Sequence, residues 1–206
     1  MSIVNTIDRI TKWAQENICN KVLLKMPPLD EDAATDEAYD YEMINPTAFA
    51  LYVPTKDKLP PGVRSPIPSV CVRFKQGEDD LTRSNGSIAI EFYFAAWNPG
   101  IYGADILKPD IANEHRRWRG PEANDHFERY GGGWRPIWNF VDIALREIES
   151  VTDIDGIEID RSISVKFGPL TEQEAIPDFY PYWFAWVSFA IKYPIVRNNA
   201  TIQNLL

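Results

Sequence analysis

The chain predicts an α+β fold, a mostly antiparallel β-sheet with two amphipathic helices packed on one face and a long inserted loop. Three patterns predict it. Apolar residues recur at helical spacing in two stretches, near the start and again after residue 133. The other apolar runs are short and bounded by proline, glycine and polar clusters, as strands are. Helix and strand runs are segregated, without the strand–helix–strand alternation of a parallel sheet.

The first helix spans residues 2–20, with Ile3, Ile7, Ile10, Ala14 and Ile18 on one face and Ser2 as N-cap. Residues 22–26 read as a short strand stopped by Pro27 and Pro28. Residues 30–42 carry seven acidic side chains and no basic one, so an acidic loop is expected over 29–47. Strands follow at 49–53 and 70–74, the second introduced by Pro66 and Pro68, and 77–86 reads as a polar hairpin connection. In 87–97, Ile88, Ile90, Phe92 and Phe94 face one way and Ala89, Glu91, Tyr93 and Ala95 the other.

Residues 99–133 lose all periodicity. More than thirty residues without a pattern are too many for a passive connector, so this is a functional or partner-contacting insertion. The second helix spans 134–150, with Trp134, Ile137, Trp138, Val141, Leu145 and Ile148 on its apolar face. Pro136 sits in its first turn, and Asp142 and Arg146 are spaced to pair on the other face. Strands at 156–160 and 162–167 precede a last strand at 182–193.

That last strand belongs to a run with seven aromatic residues in the eleven positions from Phe179 to Phe189. Alternation places Tyr182, Phe184 and Trp186 on one face and Trp183, Val187, Phe189 and Ile191 on the other. Both faces are apolar, and each large side chain left in water forgoes about 1.5–3 kcal/mol. The second set is expected against the helices. The first is expected at a subunit boundary or beneath the insertion, because no other segment is evidently there to cover it.

The 206 residues suit one domain over 1–206. With 45% hydrophobic and 25% charged residues the chain is globular rather than disordered. A net charge of −9 argues against general affinity for DNA or an anionic membrane. The start is not patterned as a signal peptide, and no apolar run approaches the ~20 residues of a membrane span. Cys19 and Cys71 lack metal-ligand spacing and are expected reduced and buried, with a single disulfide as the alternative.

The densest basic cluster is His115, Arg116, Arg117, Trp118 and Arg119. Its ordinary reading is a loop salt-bridged to Glu114, Glu122, Asp125 and Glu128. Contact with an acidic surface of an adjacent copy, at Asp30, Glu31, Asp32, Asp36 and Glu37, ranks above a nucleic acid, because one protein then supplies both signs. His115 and His126 lack the close, ordered spacing of zinc ligands. Gly131–Gly133 has neither the lysine of a P-loop nor a preceding strand, and the acids around Gly156 miss the calcium-loop spacing. No nucleophile signature occurs. The sequence therefore predicts no enzyme, no cofactor and no metal.

Three stretches carry a resemblance: the opening I-V-N-T-I-D-R-I, the central G-G-G-W-R-P-I-W-N-F-V-D-I-A-L-R-E-I-E-S, and the late G-P-L-T-E-Q-E-A-I-P-D-F-Y-P-Y-W-F-A-W-V-S-F. With the order of elements they resemble phage tail terminator and tail-completion (neck) proteins, over most of the chain. The resemblance implies a sheet flanked by helices and a six-fold ring that caps the head-proximal end of a tail tube. It implies as partners other copies of the chain, the tail-tube protein, sheath protein where the tail has one, and neck or connector proteins. DNA would only pass through the lumen. The expected location is the virion, after synthesis in the host cytoplasm. The alternatives are a head–tail stopper or another neck or baseplate component and, in a different class, a small enzyme or ligand-binding module with its site under 99–133.

Overall fold

Ser2 caps the first helix, α1 (Ile3–Asn17), its hydroxyl accepting the Asn5 N–H at 3.2 Å and so satisfying a donor that a helix start leaves free. The computed structural model describes residues 2–28, 42–80, 85–98, 133–171, 179 and 181–194. Ile7, Ile10 and Ala14 of the predicted stripe are buried, and Ile18 is buried just past the last turn, whereas Ile3 is exposed. A 3-10 turn, Cys19–Lys21, takes the place of the last residues of the expected helix.

The strand expected at 22–26 contracts to β1 (Leu24–Lys25), which pairs with β2 (Met43–Ile44) as a ribbon apart from the main sheet. The main sheet holds β3 (Thr47–Ala50), β4 (Ser69–Asp80), β5 (Asn85–Trp97), β8 (Lys166–Pro169) and β9 (Tyr182–Pro194). Their spatial order is β3-β4-β5-β9-β8, with β3 parallel to β4 and every other pair antiparallel. The expected connection at 77–86 is mostly strand, since pairing continues through Gly77–Ile88 to Asp80–Asn85. Even the polar residues there stay in the ladder because β5 is long enough to pair with them.

The second helix, α2 (Arg135–Ser150), has Pro136 in its first turn and buries Ile137, Phe140, Val141, Ala144 and Ile148. Trp134 departs from expectation. It is the N-cap residue, exposed, with the Arg135 guanidinium 5.8 Å from the centre of its ring. Asp142 and Arg146 form no ion pair; the ion pairs of the described residues lie elsewhere, as between Lys21 and Glu147 at 2.7 Å.

After α2 the chain makes a small hairpin of β6 (Asp153–Ile154) and β7 (Ile157–Glu158). Asp155 and Gly156 both have positive φ, 51° and 79°, the conformation a two-residue hairpin turn requires. That turn occupies the start of the strand expected at 156–160. The strand expected at 162–167 is displaced to 166–169, where its pairing with β9 begins.

Both helices lie on one side of the sheet. Ile10 and Ala14 from α1, Ile18 just after it, and Ile137, Phe140 and Val141 from α2 share one core with Val70, Val72, Phe92, Phe94, Val187 and Phe189. Edge-to-face rings knit the middle, with Phe92 on Phe189 at 5.2 Å and Phe94 on Phe140 at 4.9 Å. Phe140 ties α2 to the sheet, so Phe140→Ala is expected to lower stability by about 3–5 kcal/mol. Urea denaturation measures this, and a loss under 1 kcal/mol would contradict the packing described.

Candidate functional site

The side of the sheet away from the helices presents the aromatic residues that the sequence singled out. Alternation along β9 puts Tyr182, Phe184 and Trp186 there, opposite Trp97, Ala95 and Tyr93 of β5. Trp183, Val187, Phe189 and Ile191 take the helix side, as expected; all but the half-buried Trp183 are buried.

The three aromatics differ in what covers them. Trp186 lies across β8, and a Cβ at Gly168 would stand 3.3 Å from its ring. Because Gly168 has none, the indole reaches over the strand and donates to the Pro169 carbonyl at 3.0 Å. Phe184 packs edge-to-face on Phe179, with centroids 5.5 Å apart. Tyr182, at the end of the strand, remains 37% exposed. Elsewhere on this side Phe49, Cys71, Ala95, Trp97 and Ala190 are buried. The expectation that no other segment covers this face is corrected in part: Phe184 and Trp186 are half-buried by the chain itself, and Tyr182 stays exposed. Gly168 and Phe179 lie outside the aromatic strand itself, and only the fold shows that they cover it.

A polar group missed by sequence reading sits at the middle of the same side. Glu91 is buried and accepts the Lys75 ammonium at 2.6 Å and the Tyr93 hydroxyl at 2.9 Å. The Arg73 guanidinium lies 5.0 Å from the centre of the Tyr93 ring. A register shift between Phe74 and Gln76 leaves Lys75 as the extra residue of a bulge, which frees its side chain to reach Glu91. Hydrogen bonding to Glu91 raises the Lys75 pKa; burial, with the same carboxylate, raises that of Tyr93. The signal for this cluster was a single acid within an apolar strand. Its partners could not be assigned without the register.

The other candidate residues fall outside the described region: Asp30, Glu31, Asp32, Asp36 and Glu37 of the acidic loop, and Arg116, Arg117, Trp118 and Arg119 of the insertion. So do both histidines. The points where the chain enters and leaves these segments are described. Glu42, last of the acidic run, is engaged by both terminal nitrogens of Arg64. Asn98, just before the insertion, accepts the Trp183 indole N–H on its backbone carbonyl at 2.8 Å and Lys25 Nζ on its side chain at 3.1 Å. Gly133, where the chain re-enters, is buried.

Among the described residues no three of His, Cys, Asp and Glu converge on a metal-sized site. No described helix is long and apolar enough to cross a membrane. Both cysteines are free and buried, and burial pushes the Cys19 thiol up to about 12 and Cys71 to about 11. At neutral pH neither supplies thiolate for attack. This side of the sheet presents an aromatic strip, largely engaged by its own chain, with a charged centre. No family model and no curated protein matches the chain.

Three outcomes test this description. Trp186→Phe should cost about 1 kcal/mol through the lost indole hydrogen bond, and Gly168→Val about 1–3 kcal/mol by displacing the ring. Chemical denaturation reads both. In thiol titration at pH 7.5 the native chain should react slowly, and two thiols should appear only on unfolding. Immediate labelling of either cysteine would contradict their burial.

Proposed function

We propose that the protein is a non-enzymatic structural subunit of a phage tail, a terminator that forms a ring, six-fold by the resemblance, at the head-proximal end of the tail tube and joins it to the neck. The observation that carries this reading is the division of the sheet. Its helices are confined to one side, and the other side bears an aromatic strip ending in exposed Tyr182. A subunit built this way offers different surfaces in different directions, as a cyclic assembly requires of each copy. The family resemblance of the three sequence stretches supports the same reading, and it names the tail-tube and neck proteins as partners.

Within the ring the acidic loop (Asp30, Glu31, Asp32, Asp36, Glu37) and the basic cluster (Arg116, Arg117, Trp118, Arg119) serve as opposite-signed contacts between components. Phe184 and Trp186 are largely occupied by their own chain. Tyr182 therefore contributes the accessible part of the aromatic strip. A head–tail stopper or another neck component would use the same surfaces toward different neighbours.

Light scattering of the purified chain, alone and with tail-tube protein, tests the reading: a closed oligomer is expected, and a monomer under both conditions would sink it. Replacing Arg116, Arg117 and Arg119 together by alanine should weaken assembly or neck attachment at physiological salt while leaving the thermal midpoint unchanged. Normal assembly by that variant would remove the basic cluster from the contact.

A further inference from the structure

A strand at the edge of a sheet turns a row of N–H and C=O groups outward, and a second strand can bond to them. β3 is such an edge. The Thr47 and Leu51 N–H groups donate inward, to the Pro68 carbonyl just before β4 at 3.2 Å and the Val72 carbonyl of β4 at 2.8 Å. Alternation then turns the Ala48 and Ala50 N–H groups outward, together with the carbonyls of Pro46, Ala48 and Ala50.

The chain itself meets several of these groups. Gln15, near the end of α1, accepts the Ala48 N–H on Oε1 at 2.8 Å and donates from Nε2 to the Pro46 carbonyl at 3.2 Å. One carboxamide thus engages the pair of groups to which one residue of an added strand would bond. Further along, the Tyr52 N–H turns back to the Ala50 carbonyl at 2.8 Å around Leu51, whose φ is 68°. A bulky residue is strained in that conformation, and the strained turn closes the next outward acceptor.

Gln15 is held where it is. Ala14 and Ile18 on its helix are buried in the core, which fixes the end of α1 against the sheet. Gln15 Nε2 also donates to the Asn20 side-chain oxygen at 2.9 Å. Asn45, just ahead of β3, donates from Nδ2 to the Cys19 and Val22 carbonyls at 3.2 and 2.8 Å. The start of the strand is thereby tied to the segment that follows the helix, and the edge and the carboxamide keep one spacing.

We infer that Gln15 is an autoinhibitory contact on the sheet: its carboxamide takes the place of an added strand and keeps β3 from pairing through its backbone with a second copy of the chain. In a solution of this chain alone, the strand held off is the β3 of that second copy, because loss of Gln15 opens the same edge on every molecule. The inference does not depend on the ring reading, since an assembly joined through side chains leaves this contact in place.

Gln15→Ala and Gln15→Met test it, the second keeping a long unbranched side chain without either hydrogen bond. Hydrogen exchange at the Ala48 amide should be roughly ten-fold faster, or more, in both variants. Sedimentation and infrared spectra should show an association through β-strands that wild type lacks and that grows with concentration. Adding Ala48→Pro removes the outward N–H itself and should return either variant to wild-type behaviour. Ile18→Val, which weakens the core and leaves Gln15 untouched, should not associate in this way. Circular dichroism melts check that each variant folds. Unchanged exchange at Ala48 or the absence of new association overturns the inference. So does association that Ala48→Pro fails to reverse, or that Ile18→Val shows equally.

Discussion

The pairing of β5 with β9 is the constraint on which the rest of the structure depends. Residues Asn85–Trp97 and Tyr182–Pro194 pair along their whole lengths, although the eighty-four residues 98–181 separate them in the chain. Closing so long a connection costs conformational entropy that grows only slowly with its length. The ladder offsets that cost, and the side chains it brings together add to it. Phe92 meets Phe189 across it, and Phe94 meets Phe140 of α2, so ladder and helix stand or fall together. The insertion leaves from Asn98, which is tied to this frame, and re-enters at Gly133, which is buried.

That central pairing also decides what the outside of the molecule presents. With β5 and β9 inside the sheet, the short strands β3 and β8 become its edges. The side away from the helices is not a bare apolar plane. Trp186 closes over Gly168, and Glu91 is neutralised by Lys75. A buried carboxylate without such partners would be strongly destabilising.

The aromatic strip is largely engaged within the single chain, Trp186 lying over Gly168 and Phe184 packing on Phe179. Gln15 on β3 and Pro169 on β8 keep those edges from pairing indiscriminately.

The sequence by itself determined both helices, the alternation of β5 and the assignment of Val187, Phe189 and Ile191 to the helix side. Periodicity is a local property, and it survives whatever the rest of the chain does. Only the tertiary structure decided that β3 runs parallel to β4, that Leu51 turns with positive φ, that Lys75 is bulged toward Glu91, and that Trp186 is covered by its own chain. Each of these rests on register between segments distant in sequence. Trp186 finds its cover at Gly168 because β8 pairs where it does; a shift of one residue would have put Phe167 or Pro169 beneath the indole.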